Sequence, residues 1–347
     1  MQGFDTLIDA RSPSEFALDH MPGAINCPVL DDEERHLVGT TYVQQSSFEA
    51  KRIGGAMVAA NIARHLREAF QDKPKNWRPL VYCWRGGMRS GSFVTWLRLV
   101  GWDAQQLKGG YKAWRAHVIA ESDRLAAALP LRVLCGPTGS AKTRVLHELQ
   151  RLGEQVLDLE GLAGHRGSVL GSIPGVAQPS QKGFETQLFA AMASFDLSRP
   201  IWVEAESRKI GKVSLPEGLL TRLRASPVVE IAAPPGARLD FLLRDYAWLG
   251  DDPEDLCAKI AGLKGTQSNE TLARWQAWAR ERQLPALFEE MMTLHYDPLY
   301  ARSQGRNFQR LSQAVQAQSQ DLSPAGIADL ARRIAAMPAP QTASILA

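Results

Sequence analysis

The 347-residue chain has no uninterrupted apolar run long enough to span a bilayer, and its first residues, Met1-Gln2-Gly3-Phe4-Asp5, lack the basic-then-apolar order of a secretory leader. Neither membrane insertion nor secretion is expected. Cysteine is scarce: Cys27, Cys83, Cys135 and Cys257 lie far apart without paired spacing, which argues against a zinc site and against a disulfide framework. A reducing, cytoplasmic setting is the expectation. A dominant sign of charge is lacking too, because 40 basic residues against 37 acidic ones leave a net charge of +3. That balance permits a nucleic-acid partner without demanding one. Internal repeats and low-complexity blocks are absent. What remains, 45% hydrophobic and 22% charged residues, is the composition of an ordinary globular protein, and at this length two domains can each bury a core.

One stretch departs from this evenness: Val81-Tyr82-Cys83-Trp84-Arg85-Gly86-Gly87-Met88-Arg89-Ser90. Leu80-Val81-Tyr82 reads as a buried strand delivering Cys83 into a tight turn allowed by Gly86 and Gly87, and the spacing from Ser90 to Val100 predicts a helix just beyond it. A thiolate is stabilised by amide donors, nearby positive charge and a helix N-terminus, all of which this stretch offers. Arg85 and Arg89 carry charge that does not titrate away. The competing reading, a buried cysteine before a surface turn, is the default for a lone cysteine. The paired glycines and arginines favour chemistry. Cys83, Arg85 and Arg89 are the candidate catalytic residues, with Gly86, Gly87 and Ser90 as the candidate anion cradle.

Upstream, Thr6-Leu7-Ile8-Asp9 reads as a short strand, and Ser12-Pro13-Ser14-Glu15 opens a helix with a capping box and proline in the first turn. His20-Met21-Pro22-Gly23-Ala24-Ile25-Asn26 then turns into a second strand. With the cysteine loop, this order resembles a rhodanese domain, in which a cysteine carries transferable sulfur as a persulfide. Asp9 and Arg11 are expected to form a structural pair, and His20 to be a satisfied turn histidine. Five residues separate Cys83 from Arg89, one more than in the common rhodanese loop, as in related phosphatases. The resemblance therefore implies a wider cradle, for an oxyanion or a larger chalcogen. From Ser47 to Phe70 the pattern is helical, with Ile53, Met57, Ala60 and Leu66 expected to cover the core. A second reading has Gly54 and Gly55 open a slot for an apolar substrate tail. A helix from Gly109-Gly110 runs to Leu129, where Pro130 ends it, so the first domain is assigned to residues 1–122.

The second domain, 130–335, opens with the strand Leu131-Arg132-Val133-Leu134-Cys135, then Gly136-Pro137-Thr138-Gly139-Ser140-Ala141-Lys142-Thr143 and a helix to Leu152. These are the parts of a phosphate-binding loop: backbone amides and the helix dipole hold phosphate oxygens, Lys142 neutralises them, and Thr143 is placed to hold Mg²⁺. Gly136, Gly139, Ser140, Lys142 and Thr143 are the candidate phosphate ligands. Ala141 stands where the usual pattern has glycine, so nucleotide hydrolysis does not follow from the motif. Arg166, in the glycine-rich stretch from Asp158 to Ser168, is a further phosphate candidate. Glu204 and Glu206 end the apolar run Ile201-Trp202-Val203, where open α/β sheets collect ligands. They are read equally as metal or base candidates and as ion-pair partners of Arg208 and Lys209. His295-Tyr296-Asp297-Pro298 is expected near the phosphate site. Beyond Ala237 the pattern is helical, with apolar and aromatic stripes opposite arginines, and residues 336–347 read as a frayed tail. The fold class is α/β: a rhodanese-like domain followed by a P-loop NTPase-like domain with a helical C-terminal region.

That pairing is joined by Asp31-Glu33-Glu34-Arg35-Val38-Gly39-Thr40, Asp158-Leu159-Glu160-Gly161, His165-Arg166-Gly167-Ser168 and Glu204-Ser207-Arg208-Ile210-Gly211. Together they resemble the tRNA 2-selenouridine synthase family over nearly the whole chain. The resemblance implies a cytoplasmic transferase acting on tRNA with 2-thiouridine at the wobble position. Geranyl diphosphate first alkylates the sulfur, and selenium from selenophosphate then replaces it. Cys83, as thiolate or perselenide, is then the nucleophilic centre, the loop 136–143 holds the geranyl diphosphate, and Gly54 is the candidate geranyl pocket. No cofactor is firmly expected beyond a candidate Mg²⁺. The competing reading is a sulfurtransferase or phosphatase fused to an ATP-dependent kinase-like domain.

Overall fold

A computed structural model describes residues 3–338; all but the first three residues of the tail expected at 336–347 lie outside them. Among the described residues the chain forms two compact units, one reaching to residue 121 with 179–190 and the other of 122–178 with the chain from 191 onward. The division falls inside a helix, and the segment 179–190 returns to the first unit, an excursion that the linear division at residues 122–130 does not contain.

In the first unit, β1 (Thr6–Asp9), α1 (Pro13–Leu18), β2 (Ala24–Asn26), α2 (Asp32–Gln44), α3 (Ser47–Glu68), β3 (Pro79–Tyr82), α4 (Met88–Val100), β4 (Gln105–Gln106) and α5 (Gly110–Ala128) follow in order. The strands form a parallel sheet in the order β2-β1-β3-β4. All four residues of β3 are buried, as expected of a strand covered on both faces. Ile8, Val81, Phe70, Phe93 and Leu97 are among its core residues. Asp9 and Arg11 pair at 2.6 Å while almost fully buried, and Arg11 also donates to the Asp19 carbonyl at 2.7 Å, which pins the loops after β1. His20 stacks on Phe16 and bonds its carbonyl through Nδ1 at 2.9 Å, a satisfied turn histidine. Asp19 accepts from Tyr111 Oη at 2.6 Å and Thr186 Oγ1 at 3.1 Å, so a buried polar network ties the returning segment into this unit.

Gly54 lies buried in α3, where an added Cβ would stand 3.1 Å from a Val38 methyl. The glycine allows α2 and α3 to approach closely. That contact, rather than an open apolar slot, is what the structure places at Gly54.

In the second unit, β5 (Leu131–Cys135), α6 (Lys142–Arg151), β6 (Gln155–Leu157), α7 (Leu159–Ala163) and β7 (Ile201–Glu204) come first. With strands Val228–Ala232 and Val315–Gln318 they build a parallel five-stranded sheet. β5 lies at its centre, between Val228–Ala232 and β7. Helices from Pro235 onward cover one large core through residues such as Leu242, Trp275, Leu287 and Leu330. No helix among the described residues is long and apolar enough to cross a membrane.

Candidate functional site

Two sites arise, each at the carboxyl end of a central parallel strand, where open α/β sheets present ligand-binding loops. In the first unit β3 ends at Tyr82 and hands Cys83 to a loop closed by Gly86 at φ +68°, after which Gly87 caps α4. Cys83 is 3% exposed. Its Sγ accepts from the Gly87 amide at 3.3 Å and from the Ser90 hydroxyl at 3.1 Å. Burial pushes the thiol up, but the bonds from the Ser90 hydroxyl and amide and the Gly87 amide, with the Arg89 charge, outweigh it and hold the pKa below the ordinary thiol value. The other three cysteines contrast. Burial pushes Cys27 and Cys135 up to about 12 and raises Cys257.

The loop is braced from behind. The Tyr111 and Lys112 amides donate to the carbonyls of Cys83 and Trp84, each at 2.9 Å. This contact requires glycine at 110, because a Cβ there would stand 2.2 Å from the Cys83 carbonyl oxygen and 2.6 Å from the Gly86 nitrogen. Gln106 donates to the Gly87 carbonyl at 2.9 Å and to Ser90 Oγ at 2.8 Å, which leaves the Ser90 hydroxyl proton directed at sulfur. Arg89 is itself held by Glu15 at 2.6 Å. Arg85 is exposed and makes no hydrogen bond or ion pair among the described residues, so it is available to an incoming anion.

The second site surrounds the loop after β5. Gly136 and Gly139 take positive φ, and Ala141 takes φ 60° and ψ 25° as the residue that caps α6. The alanine therefore adopts the left-handed backbone that glycine would adopt without strain. Lys142 Nζ donates to the Gly136 carbonyl at 2.7 Å, lying back over the loop. Ser140 Oγ is buried with no partner among the described residues. Thr143 donates to Glu160 Oε2 at 2.8 Å. Gly139, Ser140, Ala141, Lys142, Thr143 and Glu160 line a cavity of about 230 Å³ together with His147, Asp158, Arg166 and Asp245, while Gly136 stands outside its lining. Arg166 lines this cavity, Asp245 pairs with it and also with Arg144, and the Arg166 guanidinium sits 4.6 Å from the Tyr246 ring centroid. The sequence signal missed Asp245 because it lies on a different helix, far along the chain.

Glu204 and Glu206 are the expected acids at the end of β7, yet neither pairs with Arg208, which bonds Glu217 at 2.5 Å instead. Burial pushes Glu206 up to about 8 and Glu204 well above the carboxylate range, reinforced by the charge of Glu160. Glu204 Oε1 accepts from the Glu160 amide at 2.8 Å while Oε2 has no partner among the described residues. Among the described residues no group of three or more histidine, cysteine or acidic side chains stands ready to hold a metal.

A second, apolar cleft opens off this cavity. It shares Thr138, Ser168, Leu242 and Tyr246 with it and continues between Leu170, Phe288, Met291, Met292 and Tyr296. Behind it Asp297 holds Arg238 at 2.6 Å, and Arg238 Nε donates to the Thr138 carbonyl at 2.9 Å. The run from His295 to Asp297 is thus brought to the phosphate loop from over 150 residues downstream.

Residues 1–117 match the rhodanese-like domain model, and residues 129–267 match a model described as the tRNA 2-selenouridine synthase AAA domain. A tRNA 2-selenouridine synthase of Nitrosomonas europaea is 42% identical over 244 residues, covering 69% of this chain and 63% of that protein. The same name is carried by a Bordetella bronchiseptica protein, 34% identical with 85% and 87% of the two chains covered. A Shewanella denitrificans protein, also so named, is 32% identical with 88% and 90% covered. The match to the Nitrosomonas europaea protein spans under two thirds of that protein's length.

Proposed function

From a chain that belongs to the tRNA 2-selenouridine synthase family, we propose an enzyme that converts 2-thiouridine at the wobble position of tRNA to 2-selenouridine in two steps. In the first, the ring sulfur bonds to the allylic carbon of geranyl diphosphate and diphosphate leaves. In the second, the selenium–phosphorus bond of selenophosphate breaks with release of phosphate, the selenium bonds to C2 of the base, and the carbon–sulfur bond at C2 breaks so that the alkylated sulfur leaves as geranylthiol. Alkylation has a chemical purpose, since a bare sulfur anion leaves poorly while an alkylated sulfur leaves as a thiol.

The observation that carries the reading is the apolar cleft opening off the phosphate-loop cavity. An isoprenoid diphosphate has this division, a charged head and a hydrocarbon tail. The cleft is walled by leucine, phenylalanine and methionine, with only hydroxyls as its polar side chains, so it offers no amide or carboxylate to pair with the edge of a nucleobase. Its free volume is small, about 30 Å³, so a prenyl chain enters only as the buried, unbranched side chains of Met291 and Met292 change rotamer. The helix N-terminus, Lys142 and Ser140 then receive the diphosphate. Mg²⁺ suits the oxygen donors beside it: Thr143 and Glu160 would hold it, and it would neutralise charge on the leaving diphosphate. The Cys83 loop serves the selenium step, with Cys83 as the nucleophile and the loop amides, Arg85 and Arg89 stabilising the anion.

Nucleoside mass spectrometry of 2-thiouridine tRNA incubated with each donor tests the division of labour. Cys83→Ala should abolish selenium incorporation and spare geranyl-tRNA formation. Lys142→Ala should lower geranyl transfer at least about tenfold through loss of one charge-assisted contact. Loss of both products in Cys83→Ala would refute the division, and unimpaired geranyl transfer in Lys142→Ala would refute the role given to the phosphate loop. ATP turnover without tRNA would instead favour a kinase-like second unit.

A further inference from the structure

Alkylation of 2-thiouridine releases a proton. As the sulfur–carbon bond forms and the carbon–oxygen bond breaks with its electron pair on diphosphate, the N3–H pair becomes the new ring C=N bond and the proton leaves. A thioamide sulfur is a weak nucleophile while N3 keeps that proton and a stronger one as it departs. The residues assigned so far in the phosphate-loop cavity bind the diphosphate rather than accept this proton, and the two base candidates at the end of β7, Glu204 and Glu206, do not line that cavity.

Most titratable side chains lining the phosphate-loop cavity are already committed. Asp245 lies between Arg144 and Arg166, Lys142 lies on the Gly136 carbonyl, and Glu160 accepts from Thr143. Asp158 accepts from the Gly161 amide at 2.7 Å as the cap of α7. His147 is different. It stands on α6 one turn beyond Thr143, lines the same cavity, is 37% exposed, and places Nε2 3.0 Å from Asp158 Oδ2. A carboxylate on Nε2 fixes the proton there in the neutral ring and leaves Nδ1 as the accepting nitrogen. Farther along α6, Glu148 and Arg151 pair with each other.

We propose that His147, oriented by Asp158, accepts the N3 proton of the thiouridine as its sulfur attacks the prenyl carbon. This rests on the prenyl-transfer reading above and adds the base that the reaction needs. Asp158 is then a positioning residue, and its caps on both the imidazole and α7 place the ring against the phosphate loop.

The test is single-turnover geranyl transfer by the full-length protein to 2-thiouridine tRNA, followed across neutral to alkaline pH. General-base catalysis contributes about 10²–10⁴-fold, so His147→Gln should slow the step by about 100-fold near neutrality while leaving the KM for geranyl diphosphate nearly unchanged. The deficit should shrink as pH rises and the substrate ionises unaided, a rescue that a purely structural histidine would not give. Asp158→Asn should lower the rate in the same direction, and melting curves of both variants check the fold. A His147→Gln rate close to wild type at neutral pH, or a deficit equal at every pH, overturns the assignment. If the wild-type protein transfers no geranyl group at any pH, the prenyl-transfer reading fails and the base assignment falls with it.

Discussion

Ser90→Ala isolates the bond that does most to hold the Cys83 thiol below its ordinary pKa. In the native loop the Ser90 hydroxyl donates to Cys83 Sγ at 3.1 Å with its own oxygen held by Gln106 at 2.8 Å, so the donor is oriented before any substrate arrives. A hydrogen bond to a charged acceptor contributes about 1.5–3 kcal/mol. At about 1.4 kcal/mol per factor of ten, its loss lowers the thiolate fraction about 10- to 100-fold in the pH range where the native thiol is partly ionised. The Gly87 amide and the Arg89 charge remain, so the effect is partial. The assay is alkylation by iodoacetamide followed by intact mass. Cys27 and Cys135 are pushed up to about 12 by burial and Cys257 is raised, so a single fast adduct reports Cys83. Ser90→Thr keeps the hydroxyl and should react nearly as fast as the native protein. If Ser90→Ala matched the native rate throughout the pH range, the hydroxyl would have no part in holding the thiolate.

Gly110→Ala should collapse the cysteine loop, because its Cβ would meet the Cys83 carbonyl oxygen at 2.2 Å at a backbone φ of +57°. A loss of about 2 kcal/mol or more in urea unfolding, together with loss of the fast Cys83 adduct, is expected, and an unchanged midpoint would contradict the packing described. Glu206→Gln bears on pH dependence. Burial keeps Glu206 protonated in the folded chain up to about pH 8, whereas an ordinary glutamate releases its proton near 4.5. The unfolded chain therefore binds fewer protons between those values, and native stability falls as pH rises through that window and levels off above it. The glutamine variant lacks that contribution, so its melting temperature should exceed the native one at pH 8 and converge with it towards pH 5. A difference that stays constant with pH would mean that Glu206 is ionised when folded.

Local chemistry was legible in the sequence. An apolar run ending in Cys83 with glycines and arginines behind it gave the strand, turn and helix of the cradle. Gly136 to Thr143 gave a phosphate loop, and Ala141 marked its one departure, which became a left-handed alanine. In each case the residues that make the structure lie within a few positions of one another, and backbone torsion or capping relates them directly. Other features depended on distant partners. Gly54 accommodates Val38, Asp245 occupies Arg166, and Glu160 takes the Thr143 hydroxyl. Glu204 and Glu206 could be read as ligands or as ion-pair partners until burial beside Glu160 raised both. Proton occupancy depends on which charges are buried together and on how much water each has lost. A chain order can specify a motif, but only its packing determines which acids keep their protons and which histidine is left facing a cavity.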